Sequence, residues 1–134
     1  FVSPLTRTIQ TALNIFKNRD VKMIAIDEIM EHPQCLEVCN QRLDKKILVK
    51  QYPNIDFSRI SDNHLLYWHN EFDNLDELER LKKRIDDFKN ILMDVDEKNI
   101  AIISHSSYLG QMMFNKIEDP NNELYHCHPY EFKI

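Results

Sequence analysis

The sequence predicts a three-layer α/β/α sandwich, helices on both faces of a mostly parallel sheet, in a single domain. Three observations lead there. Short apolar runs at residues 21–26 and 100–103 have the character of buried strands. Between them lie segments whose apolar residues recur every three or four positions, the period of a helix with one buried face. Twice a strand-like run passes through a serine-containing turn into such a segment, at Ser3-Pro4 and at Ser104-His105-Ser106-Ser107. A chain of 134 residues is long enough for one domain with a real core, and no repeat, low-complexity tract or linker divides it.

Taken in order, Phe1 and Val2 read as the tail of a strand. Ser3 is a natural N-cap, because its hydroxyl can accept from a free amide of the first helical turn. Pro4 suits the first helical position, where a missing N–H costs nothing. Leu5, Ile9, Ala12, Leu13 and Phe16 form an apolar stripe, with Thr6, Arg7, Thr8, Gln10 and Thr11 off it. A helix N-terminus with free amides and an Arg in its first turn is an anion site, most naturally for phosphate. The planar fork of Arg7 can grip two oxygens of one phosphoryl group. The sequence opens without an initiator Met at the end of a strand. A parallel sheet needs earlier strands beside that tail, so the chain is expected to be a piece of a longer protein.

The run at 21–26 leads into Asp27-Glu28-Ile29-Met30-Glu31-His32-Pro33. Carboxylates just past the carboxyl end of a strand lie where open α/β sheets place their ligands. Residues 43–51 can form a short helix that Pro53 stops. His64 to Glu71, with Tyr67, Trp68 and His69, reads as an ordered lid or packing loop. Residues 74–95 are the clearest helix. Asn74 and Glu77 resemble a capping box, and Leu75, Leu78, Leu81, Ile85, Phe88 and Leu92 make one stripe. Glu77, Glu79, Lys82, Lys83, Asp86 and Lys89 form its solvated face. After the strand at 100–103, His105 stands at the second turn, ahead of a helix through Tyr108, Leu109, Met112 and Met113. Two such turns in a right-handed parallel sheet open on one edge and can converge on one phosphate. Residues 123–134 alternate enough for a final strand or two short ones, one of them possible as an antiparallel neighbour. Gly110 is the only glycine, so left-handed turn positions fall to Asn and Asp.

Composition narrows the partners. Seventeen basic against twenty-two acidic residues give a net charge of −5, which argues against a nucleic-acid surface. No apolar run approaches membrane-spanning length and no signal-peptide pattern opens the chain. Cys35, Cys39 and Cys127 are sparse and odd in number, as expected of reduced thiols in a cytoplasmic compartment. His32, Cys35, Cys39, His126, Cys127 and His128 match no familiar zinc spacing, so no metal is expected.

The wording Ser3-Pro4-Leu5-x-Arg7-Thr8-x-Gln10-Thr11-Ala12 resembles the second conserved block of the histidine phosphatase superfamily, the phosphoglycerate-mutase-like proteins. The resemblance implies that Arg7 binds the transferring phosphoryl group. Ile29-Met30-Glu31 stands where that family has a Leu-Arg-Glu-like segment whose acid protonates the leaving oxygen. Glu31 is thus the candidate general acid and Glu28 its rival. The apolar run ending in Ser104-His105 resembles the later block, which makes His105 the second catalytic histidine, hydrogen bonding phosphoryl oxygens as charge builds. Ser106 and Ser107 replace the small residues, often glycine, that usually follow it. Cys39-Asn40-Gln41-Arg42 stands where a plant and fungal branch often has Cys-Asp-x-Arg. Tyr52-Pro53-Asn54-Ile55-Asp56-Phe57-Ser58 matches that branch's Phe-Pro-x-hydrophobic-Asp-Phe-Ser, and His126-Cys127-His128 its Asn-Cys-Glu.

The family's opening Arg-His-Gly, which carries the histidine that becomes phosphorylated, has no counterpart in this sequence. The implied activity is that of a phosphomonoesterase acting through phosphohistidine on a small phosphorylated metabolite, its nucleophile upstream of Phe1. It needs no cofactor or metal. Two alternatives stand beside it: a phosphoglycerate-mutase-type isomerase, and a non-catalytic phosphate-binding or interaction module.

Overall fold

The computed structural model of the protein describes residues 1–33, 37–68, 74–115 and 124–133, those at 74–76 by their backbone alone. It corrects the expected α/β/α sandwich. The regular structure is helical: α1 (Thr6–Ile15), α2 (Lys45–Gln51), α3 (Asn74–Met93) and α4 (Ser106–Phe114), with single 3-10 turns at Asp27–Ile29 and Val38–Asn40. Among the described residues no sheet forms. Extended segments meet only at three isolated parallel bridges, Val2 with Ala25, Val2 with Ile103, and Ile24 with Asp56.

The reason is length. The Val2 amide donates to the Ile24 carbonyl at 2.9 Å, and the Ile26 amide donates to the Val2 carbonyl at 3.1 Å. On the other side, Ser3 donates to Ile103 and Ile103 to Phe1, both at 2.9 Å. Pro4, with no N–H of its own, then carries the chain away toward α1, which ends the pairing after Ser3. A ladder of single pairs is too short to count as a sheet. The expected strands at 21–26 and 100–103 are therefore extended segments with one- or two-residue pairing. The tail shows no strand at 124–133 either; residues 123 and 134 lie outside the described set.

The two-residue alternation of these segments still divides the core. Val2, Ala25 and Ile103 turn toward Ile9 and Ala12 of α1, Leu48 of α2, and Ile55, Phe57 and Ile60. Phe1, Ile26 and Ile102 turn the other way, toward Leu81, Ile85, Phe88 and Leu92 of α3 and Tyr108 and Met112 of α4. Each fully buried large apolar side chain contributes roughly 1.5–3 kcal/mol. Two clusters of this kind hold the helices in place without a sheet between them. The α3 helix packs on the Asp27–Ile29 turn and on α4, which brings the loop carrying Glu31 toward the start of α4.

Local starts and stops differ in detail from the sequence reading. Leu5, not Ser3, occupies the cap of α1, and Thr8 is buried, its hydroxyl donating to the Leu5 carbonyl at 2.7 Å. Asp44 caps α2, accepting from the Lys46 amide at 2.8 Å. The α3 helix starts where expected and closes at Met93. Its stripe buries Leu81, Ile85, Phe88 and Leu92, yet Glu77, expected on the solvated face, is buried too. Asn115 ends α4 in the left-handed region at φ 55°, as the scarcity of glycine predicts, but Cys127 takes the same region at φ 56°, against the expectation of Asn or Asp, and Gly110 sits inside the helix. Among the described residues, no helix is long and apolar enough to cross a membrane.

Candidate functional site

Arg7 lies in the first turn of α1, and its guanidinium is fixed by the Val38–Asn40 turn. Nη1 donates to the Cys39 carbonyl at 2.7 Å and Nη2 to Oδ1 of Asn40 at 2.8 Å. Asn40 is itself buried and held, its amide nitrogen donating to the Pro33 carbonyl at 3.2 Å. Asn40 thus serves as the acceptor that orients Arg7.

His105 immediately precedes α4 and is buried. Its Nε2 meets Oγ of Ser3 at 2.8 Å. The serine proposed as a cap is instead the imidazole's partner, since its contact with the Leu5 amide is a long 3.5 Å. Burial, with Arg7 and Arg84 nearby, pushes His105 down to about 3, so the ring is neutral near neutral pH.

Glu31 joins the two. Its Oε2 lies 3.9 Å from Nη2 of Arg7 and 3.7 Å from Nδ1 of His105. Its Oε1 accepts from the His32 amide at 2.9 Å. Burial pushes the carboxyl above its ordinary range, against the pull of the His32 amide, Arg7, Arg84 and the Tyr108 amide in the first turn of α4. A carboxylate therefore occupies the meeting point of one guanidinium, one imidazole and one helix N-terminus, where a tetrahedral oxyanion would find its donors. Of the two rival acids, Glu31 is the one beside Arg7 and His105. Glu28 is half-buried, its carboxyl raised by burial and by the neighbouring charges of Asp27 and Asp87.

Two residues of this neighbourhood went unmarked in the sequence. Arg84 of α3 is buried, donating from Nη2 to the Met30 carbonyl at 2.9 Å and to the Glu31 carbonyl at 3.4 Å. It clamps the backbone that presents Glu31. Asp27 pairs with buried Arg42 at 2.8 Å and accepts from the Ser61 amide at 2.7 Å, tying the 27–29 turn to the loop after α2. The Arg42 position carried a signal in the Cys-Asn-Gln-Arg wording; Arg84, among the charges of an amphipathic helix, carried none. Among the described residues no group of His, Cys, Asp and Glu could hold a metal ion; Cys35 lies outside them.

No protein-family model, curated protein or solved structure matches this chain.

Proposed function

We propose that Arg7, Glu31 and His105 handle the phosphoryl group of a small phosphorylated metabolite, in a phosphomonoesterase that works through phosphohistidine. In this reading a histidine upstream of Phe1 attacks phosphorus. Its nitrogen–phosphorus bond forms as the ester oxygen–phosphorus bond breaks. Arg7 and His105 hold the phosphoryl oxygens, and protonated Glu31 passes its proton to the leaving oxygen. Water then cleaves the nitrogen–phosphorus bond and releases phosphate. A carboxyl held above its ordinary range by burial suits the acid's task. The sparse, odd set of cysteines accords with a cytoplasmic setting.

One observation supports this reading most: Arg7 and His105, from opposite ends of the sequence, approach the same oxygen of Glu31. The test is phosphate release from an aryl phosphate. The protein extended by its upstream sequence should turn over and lose activity in Arg7→Ala and His105→Ala. The 134-residue chain alone should show little or none. Robust turnover by this chain, abolished in His105→Ala, would contradict the missing nucleophile.

A further inference from the structure

A cavity of about 170 Å3 adjoins the loop that carries Glu31, through His32, and is lined also by Tyr67, Trp68, Leu81 and Arg84 among others. It shares a wall with the candidate site. His32, whose amide holds the Glu31 carboxylate, faces it, and so does Arg84, which binds the Glu31 carbonyl. The charges around it are turned on one another. Glu77 lies 3.7 Å from Nδ1 of His32 and 3.5 Å from Nη1 of Arg80. The Arg84 guanidinium rests 5.2 Å from the Tyr67 ring centre, a cation–π distance. The walls are mixed: the Tyr67 and Trp68 rings with Leu66 and Leu81 on the one hand, the mutually engaged polar groups on the other. A cavity of roughly 150 Å3 lined by apolar groups accepts one benzene ring.

We infer that this cavity receives a single aromatic ring borne by the leaving group, so that the substrate class is the phosphate monoester of a monocyclic aromatic or arylmethyl alcohol. The inference rests on the phosphoryl reading of Arg7 and His105. A leaving oxygen beside Glu31 would direct its substituent past His32 into this space, where aromatic walls favour offset or edge-on ring contacts. Tyr67 and Trp68, from the loop that the sequence marks as a lid or packing element, become a specificity wall; His69 to Glu71 lie outside the described residues.

The 134-residue chain is enough for the test, because phosphonates bind without being hydrolysed and Trp68 is its only tryptophan. Phenylphosphonate should bind about tenfold more tightly than methylphosphonate in calorimetry and should change Trp68 fluorescence. In Trp68→Ala and in Tyr67→Ala that preference should shrink severalfold, with methylphosphonate affinity unchanged. Equal affinities for the two phosphonates, a preference that survives both variants, or a parallel loss of both ligands in both variants would overturn the cavity assignment alone. If neither phosphonate binds the unaltered chain, the phosphoryl reading of Arg7 falls, and this inference with it.

Discussion

The imidazole of His105 and the hydroxyl of Ser3 meet at 2.8 Å across a separation of 102 positions in the chain. Beside them, the Ser3 amide donates to the Ile103 carbonyl at 2.9 Å, so backbone and side chain together lock the start of α1 to the start of α4. The burial this entails keeps His105 neutral, which gives the site a pH signature.

The contribution of His105 to folding stability should fall as the pH drops below 6.5, opposed by the raised carboxyls of Asp27, Glu28 and Glu31. His105 is held down to about 3 in the folded chain, so the unfolded chain takes up a proton first on acidification. The folded form then binds fewer protons at this residue, and its contribution rises with pH across that window. The loss approaches about 1.4 kcal/mol per pH unit for one group. Urea denaturation at stepped pH should show this slope as the difference between the unaltered chain and His105→Gln. An identical slope in the variant would assign the acid sensitivity to other groups.

Asn40→Ala should weaken orthophosphate binding about five- to tenfold. The variant removes the acceptor of Arg7 Nη2 and lets the guanidinium wander, at the cost of a charge-assisted hydrogen bond. Asn40→Asp keeps an acceptor at the same place and should retain most of the affinity. Calorimetric titrations of the three proteins check the order.

Glu31→Gln should bind orthophosphate about tenfold more tightly at about pH 8, because an ionised carboxylate next to Arg7 and His105 repels an incoming dianion and competes for its donors. The same substitution should abolish leaving-group protonation in a turnover-competent form of the protein. Weaker phosphate binding by the variant would mean that Glu31 supports the anion site instead of occupying it.

Phe88→Ala should destabilise the fold by about 3–5 kcal/mol, from lost burial and the cavity left behind. Phe88 is fully buried and meets Phe1 edge-on, ring centres 5.6 Å apart. It ties α3 to the extended segment that precedes α1. Chemical denaturation measures the change directly.

The proximity of Arg7 and His105 was more legible in the sequence than the fold was. Arg7 and His105 were legible because each sits in a short wording with a local structural meaning, a turn leading into a helix. The sheet was misread for a physical reason. Alternating apolar residues report which faces a segment buries, and here Ala25 and Ile26 do enter different clusters. They do not report how many residues a neighbour offers for pairing, and Val2 offers one. Glu77 and Arg84 show a similar blindness on α3. Their spacing places them among charged neighbours, but their burial depends on His32 and on the Met30 carbonyl, which are remote in sequence. Which of Glu28 and Glu31 lies beside Arg7 and His105 likewise waited for the path of one loop over α3.

The most direct measurement is an orthophosphate titration of the 134-residue chain followed by the ring-proton resonances of His105. Saturable shifts of those resonances are expected, with affinity reduced at least about tenfold in Arg7→Ala, as befits the loss of a charge-assisted donor. Unperturbed His105 signals at saturating phosphate, or an affinity indifferent to Arg7→Ala, would show that guanidinium and imidazole do not share an anion.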